Sequence, residues 1–305
     1  MKDSRYYQQV RLLLSVLPII SLEPQFALKG GTAINLFIRD MPRLSVDIDL
    51  TYLPIEPREA SLDGIHEGVK RIEKDIESKI KDVRVTFVQL KGVSVPTTLN
   101  VQTRDASIIV ETNLVLRGSV YPAEVRGLCT SAQDTFEMYT EVQTLSVADI
   151  YGGKLCAALD RQHPRDLFDV MLLLADQGIT DEIRKAFIVY LASHSRPMHE
   201  LLDPYWKDIS EMFSKEFAGM TREPVELSSL LSAREDMLVE IKRGITSNEK
   251  QFLISMKEDK EPSWHLLGFD GIENLPGLQW KLLNIQKMSS DKREIALEKL
   301  KKVLS

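Results

Sequence analysis

Hydrophobic residues recur along the first twenty positions with a helical period. Tyr6, Val10, Leu13, Leu14 and Leu17 share one face of a helix predicted over residues 4–17, which Pro18 ends or kinks. Phe26-Ala27-Leu28-Lys29 reads as a short apolar strand, Gly30-Gly31 as a turn, and Thr32 onward as the start of a second helix. From Leu44 to Leu50 apolar and polar residues alternate strictly. That is the strand period, so Ser45, Asp47 and Asp49 share one face and Leu44, Val46, Ile48 and Leu50 the other. Residues 61–81 form an amphipathic helix on Leu62, Ile65, Val69, Ile72, Ile76 and Ile80, and strand-like runs follow at Val83 to Leu90, Thr98 to Thr103 and Ser107 to Leu116.

The texture changes at Ser146, which with Asp149 three residues later matches a capping box for a helix running to about Asp160. Gly152 and Gly153 inside it cost about 1 kcal/mol each relative to Ala, which predicts that they serve close packing. A Leu-rich helix over Arg165 to Ala175 ends at Gly178. The remainder reads as helix broken at Pro197, Pro204, Pro224, Pro262 and Pro276, with a solvated amphipathic helix over residues 287–302. No internal repeat is present. The pattern predicts an α/β domain over residues 1–145 and an all-helical domain over 146–305.

Composition narrows the function classes. The 305 residues suffice for two domains, and 43% hydrophobic content supports an ordinary packed core. With 39 Lys and Arg against 45 Asp and Glu the net charge is -6, so any nucleic-acid partner must be met by a local basic patch or by bound metal ions. Cys129 and Cys156, far apart and without a Cys/His cluster, make a disulfide scaffold and a structural zinc site poor fits. Leu12 to Ile20 is too short to span a bilayer, so a cytoplasmic protein without membrane attachment is expected. His66, His163, His194, His199 and His265 lack metal-ligand spacing, and Trp206, Trp264 and Trp280 read as core or interhelical contacts. Arg104, Arg117 and Arg126 could line an acceptor groove or form surface salt bridges.

The alternating strand carries the first candidate chemistry. Asp47 and Asp49 lie roughly 6.5–7 Å apart at Cα on one face, where two carboxylates repel unless a cation sits between them. Oxygen ligands favour Mg²⁺ or Mn²⁺, and the plain alternative is a solvent-facing edge strand. Gly30-Gly31-Thr32, between strand and helix, offers backbone N–H groups to an anion, or is simply a tight turn. Ser45 shares the face of Asp47 and could bond a phosphate. Further on, Glu111 sits in a hydrophobic strand with Asp105 and Asn113 nearby, so the register decides which polar residue joins the carboxylate face.

A second block comprises Lys154-Leu155-Cys156-Ala157-Ala158, Arg161, and Pro164-Arg165-Asp166-Leu167-Phe168-Asp169-Val170. Asp166 and Asp169, three apart on a helix, share a face. Lys154 on the preceding helix could meet a phosphate, or Lys154 or Arg165 could form an interhelical salt bridge with these aspartates. Both hold if the acids orient the cation.

The glycine turn, the Asp-x-Asp strand and the later carboxylate strand, in that order, resemble the nucleotidyltransferase fold of the polymerase-beta superfamily. With the Lys-x-x-Ala and Arg-Asp-x-x-Asp helices, residues 26–175 resemble the AbiEii-type nucleotidyltransferase toxins of abortive-infection and toxin–antitoxin systems, the MenT toxins included. The resemblance implies an α+β fold, a polymerase-beta-like domain with a mixed sheet and helices followed by an all-helical domain. It implies a nucleotide held by Lys29, Gly30, Gly31, Thr32, Arg43, Ser45 and Arg165, and metal on Asp47, Asp49 and Glu111. The catalytic set would be Asp47, Asp49, Lys154, Asp166 and Asp169. The implied reaction transfers NMP from an NTP, with Mg²⁺ or Mn²⁺, to an RNA hydroxyl, in first place the 3′ end of tRNA, blocking translation and arresting growth. A separately encoded antitoxin is the implied partner. The alternatives are transfer to a protein or small-molecule hydroxyl, and nucleotide binding without catalysis.

Overall fold

The computed structural model describes residues 5–89, 96–258 and 261–305. The chain forms two compact units, one of Met1–Ser146 with Gly219–Pro224, the other of Val147–Ala218 with Val225–Ser305.

The first unit is built on a mixed seven-stranded sheet of β1 (Phe26–Lys29), β2 (Asp47–Tyr52), β3 (Arg84–Phe87), β4 (Thr98–Gln102), β5 (Ser107–Thr112), β6 (Glu124–Gly127) and β7 (Glu141–Thr144). Its order is β3-β4-β5-β2-β1-β7-β6. Strand β2 runs antiparallel to β1 and parallel to β5, while β1 runs parallel to β7. Within β2 the core is what the alternation predicts, with Ile48, Leu50 and Tyr52 buried, as are Phe26, Ala27 and Leu28; the strand begins only at Asp47, and ahead of it Ser45 is buried and Val46 half-buried, against the alternation. Helices α1 (Arg5–Ile20) and α3 (Arg58–Lys79) pack on strands of this sheet and on each other. They contribute buried Leu13, Leu14, Leu17, Ile65, Val69, Ile72 and Ile76. Each such side chain is worth about 1.5–3 kcal/mol of burial.

Four local differences from the sequence pattern have physical causes. Pro18 does not close α1, which continues to Ile20. A proline near the end of a helix forfeits only one ladder bond, and the chain recovers by Ser21 N–H and Oγ both donating to the Leu17 carbonyl, each at 3.0 Å. The second helix begins at Gly30 rather than Thr32, as a short α-helix α2 (Gly30–Ala33) that widens into a π-helical turn over Ile34–Ile38. Strand β5 stops at Thr112, short of Leu116, because Asn113 Oδ1 accepts the N–H groups of Val115 and Leu116 at 2.9 and 2.8 Å. The two four-residue strands β6 and β7 and helix α4 (Thr130–Phe136) are too short to leave a periodic signal. Leu90, the end of the predicted Val83 to Leu90 run, lies outside the described residues.

Gly219–Pro224 belongs to this unit through backbone pairing with the approach to β2. Leu44 N–H donates to the Met220 carbonyl at 3.0 Å and Arg222 N–H to the Pro42 carbonyl at 2.8 Å, with an antiparallel bridge between Arg43 and Thr221.

The second unit is helical among its described residues: α5 (Val147–Arg161), α6 (Pro164–Ala175), α7 (Asp181–Ser193), α8 (Met198–Leu202), α9 (Ser210–Glu216), α10 (Leu227–Gly244), α11 (Ser247–Glu258), α12 (Pro276–Gln286) and α13 (Ser290–Leu304). Helix α5 packs on α7, and α6 on α10. Gly152 makes the first contact possible, since a Cβ there would lie 2.7 Å from Phe187 N and 2.9 Å from Ala186 C. Gly153, expected to do the same, faces open space. Trp264 packs against Phe252 with ring centroids 5.6 Å apart, and Trp206 lies under the Arg234 guanidinium at 4.6 Å, whereas Trp280 is 43% exposed and is no core residue. No described helix is long and apolar enough to cross a membrane.

Candidate active site

In the first unit the glycine turn lies directly against the carboxylate strand. Gly30 has φ +72°, and a Cβ there would sit 2.3 Å from Asp49 Oδ2, so conformation and space both require glycine. A Cβ on Gly31 would sit 2.7 Å from Arg43 Nη2 and 2.9 Å from Ser45 Oγ. The missing side chains are therefore what lets Asp49, Arg43 and Ser45 close on the turn. Thr32 is fully buried, and its hydroxyl bonds the Asp47 carbonyl at 2.5 Å and Ser45 Oγ at 3.0 Å. With no exposed surface, Thr32 acts by holding Ser45 and Asp47 in place. Arg43 is also buried, its Nη1 donating to the Leu44 carbonyl at 3.0 Å.

Sheet register places the remaining acids. Asp49 is the cross-strand partner of Lys29 on one side and of Glu111 on the other, so the three share one row and one face, and Asp47 stands opposite Ile109. Glu111, and neither Asp105 nor Asn113, is thus the polar residue beside Asp49; Asn113 is occupied in its own turn. Asp47 and Asp49 are half-buried and Glu111 is exposed. Among the described residues no three His, Cys, Asp or Glu side chains are grouped to hold one metal ion.

In the second unit the Lys154 block forms a buried charge network. Lys154 Nζ donates to Asp166 Oδ1 at 2.9 Å and lies 3.0 Å from Asp169 Oδ2, with all three residues buried. Arg161, 61% exposed at its side chain, grips Asp166 through Nε at 3.1 Å and Nη2 at 3.0 Å. Burial opposes ionisation of Asp166, but Lys154 and Arg161 outweigh it and lower its pKa from the ordinary 3.8 to about 2. Arg165 stands on the same helix, and its N–H donates to His163 Nδ1 at 3.1 Å, which caps α6. Accepting at Nδ1 leaves the His163 proton on Nε2, 3.1 Å from Glu216. Burial pushes the His163 pKa down, in keeping with that neutral role.

The structure thus brings Lys29, Gly30, Gly31, Thr32, Arg43, Ser45, Asp47, Asp49 and Glu111 together within one unit, and Lys154, Asp166, Asp169 and Arg165 within the other. Two supporting residues lie outside the candidate site motifs, Asn35 and the Asp149 of the Ser146 capping-box pattern. Asn35 is buried and donates from Nδ2 to the Gly31 carbonyl at 2.8 Å, fixing the turn from one helical turn away. Asp149 is buried and accepts the Tyr190 hydroxyl at 2.9 Å, joining α5 to α7. The i, i+4 spacing of Gly31 and Asn35 was the only signal available for the former.

Three comparisons place this geometry among known proteins. The family profile described as nucleotidyl transferase AbiEii toxin, type IV TA system, matches residues 11–282. No curated protein matches in sequence. Among solved structures, the fold is similar to MenT4, a nucleotidyltransferase toxin from Mycobacterium tuberculosis H37Rv, with TM-score 0.63 and 13% identity over 97% of this chain and 93% of that one.

Proposed function

Because the chain belongs to the AbiEii family of nucleotidyltransferase toxins, we propose that it transfers NMP from an NTP to an RNA hydroxyl, the 3′ end of tRNA, and so blocks translation and arrests growth in the cytoplasm. The observation that carries this reading is the glycine turn closed on Asp49, with Asp47 on the same face and space for neither Gly30 nor Gly31 to bear a side chain. A backbone without side chains beside paired carboxylates suits a polyphosphate bridged to a divalent ion.

The donor set fits Mg²⁺ or Mn²⁺, which is commonly held by one or two carboxylates together with substrate phosphates, and here Asp47 and Asp49 would hold it, with Glu111 beside Asp49. Such an ion, when bound, offsets phosphate charge and makes the α-phosphate a better electrophile. The chain's own residues do the rest. Lys29, Arg43, Ser45 and the N–H groups of Gly30 and Gly31 neutralise and orient the triphosphate, and Thr32 keeps Ser45 and Asp47 aligned. Lys154, Asp166, Asp169 and Arg165 are assigned to the reaction on the family motif, the two acids holding the lysine in one geometry. The type IV toxin–antitoxin family implies a separately encoded antitoxin as partner.

The test supplies each labelled NTP separately, with Mg²⁺ or Mn²⁺, to the protein with total tRNA and to the protein alone. Label in a tRNA band supports the proposal, whereas label on the protein or on a soluble product moves the acceptor to another class. Asp47→Ala should lose transfer with an unchanged circular dichroism spectrum; turnover retained in that variant refutes the assignment.

A further inference from the structure

Of the arginines singled out in the sequence, Arg126 lies on β6, the last strand on one side of the sheet. It pairs with Glu124, two residues back on the same face. The backbone of this strand opens outward. Leu128, the next residue after β6, donates its N–H to the Thr140 carbonyl at 3.0 Å, and the Glu124 carbonyl accepts the Thr144 hydroxyl at 3.3 Å. An antiparallel ladder alternates, so Glu124 and Arg126 direct their backbone groups to β7, and Val125 and Gly127 direct theirs away from it. Among the described residues no strand lies beyond β6.

The side chains along this edge are exposed and ordered by charge. Val125 is 68% exposed and shares its face with Gly127. A Cβ on Gly127 would lie 3.0 Å from the Tyr139 hydroxyl, which places Tyr139, 61% exposed, on that face too. The other face carries Glu124 and Arg126, one charge of each sign on either side of Val125. An antiparallel copy of the strand centred on Val125 sets each Glu124 against an Arg126. A copy centred on Glu124 or on Arg126 sets like charges against each other, as does an in-register parallel copy. The net charge of -6 opposes general self-association, so two copies need a local match of this kind where they meet.

We propose that the outer edge of β6 pairs antiparallel with β6 of a second copy of this chain, about a two-fold axis through Val125. The Val125 N–H of each copy then donates to the Val125 carbonyl of the other. The two valines meet on one face with Tyr139 beside them, and two Glu124 to Arg126 pairs close the other face. A strand of four residues makes a small interface, so association is weak and reversible. The pairing uses no residue of the carboxylate site and stands apart from the nucleotidyl-transfer reading.

Sedimentation velocity of the full chain over a rising concentration series tests it, and the wild type should pass from monomer to dimer. Glu124→Arg or Arg126→Glu alone sets like charges opposite each other twice per dimer and should weaken association by about tenfold or more. Mixed in equal amounts, the two variants should dimerise with each other at least as tightly as the wild type, because a strand with two arginines then faces a strand with two glutamates. Val125→Pro removes an outward N–H that the ladder between β6 and β7 does not use, and should abolish dimers with an unchanged circular dichroism spectrum. Glu124 is exposed, so Glu124→Arg carries the test should Val125→Pro fail to fold. A wild type that stays monomeric throughout overturns the proposal and leaves the edge to a strand from another protein. A dimer indifferent to these substitutions, or a mixture that associates no better than its components, overturns it as well.

Discussion

Two pairs of aspartates, one in each unit, meet opposite fates. Asp47 and Asp49 lie two apart on a strand, half-buried, with a glycine turn pressed against them. Asp166 and Asp169 lie three apart on a helix, buried, with Lys154 Nζ bonded to both. The helical pair has its cation from the chain itself. The strand pair is arranged with space and exposure that suit a cation and a polyphosphate from solution. Residue type is identical in the two places, so the difference lies in how the neighbours stand: a side-chain-free glycine turn closes on the half-buried strand pair, with Lys29 across from Asp49, whereas in the helical pair a buried lysine bonds both acids.

The largest expected effect separates the two directly. Asp49→Asn should lower nucleotidyl transfer by about a thousandfold or more, equivalent to about 4 kcal/mol of transition-state stabilisation, with the melting temperature little changed. Lys154→Met should do the reverse in emphasis, costing about 3 kcal/mol or more in denaturant unfolding because two buried carboxylates lose their shared cation. Equal stability of that variant and the wild type would mean that Lys154 does not hold the helical pair. A pH series comes next. Asp166 is held at about 2 in the folded protein against an ordinary 3.8, so its contribution is complete above about pH 4 and is lost as pH falls through about 2. It amounts to about 2 kcal/mol, and Asp166→Asn should flatten that part of the acid limb. The smallest effect belongs to Arg161→Gln, at most about 1 kcal/mol, since this half of the network is open to solvent.

Much of this arrangement was legible in the sequence because strands and helices have fixed periods. Strict alternation over Leu44 to Leu50 put both aspartates on one face before any partner strand was known. The choice among Asp105, Glu111 and Asn113 was not legible, because it depends on the register of β5 against β2. Likewise, three-residue spacing showed that Asp166 and Asp169 share a face, but only the packing of α5 and α6 showed that Lys154 serves both. Glycine was ambiguous in the same way: Gly152 and Gly153 look alike in sequence, and only the position of Phe187 distinguishes them. Arg117 is buried although a charged residue in a polar loop reads as exposed, and nothing local in the sequence reveals that its side chain is enclosed.

The pairing of Met220, Thr221 and Arg222 with Pro42, Arg43 and Leu44 imposes an order in time. During synthesis the glycine turn and the carboxylate strand leave the ribosome early, yet the backbone that pairs with the approach to Ser45 is translated only after Val147–Ala218. The nascent chain therefore cannot complete this part of the first unit until most of the polypeptide exists. That late closure delays completion of the approach to the carboxylate strand, and a product truncated before Gly219 lacks the segment that pairs with Pro42, Arg43 and Leu44.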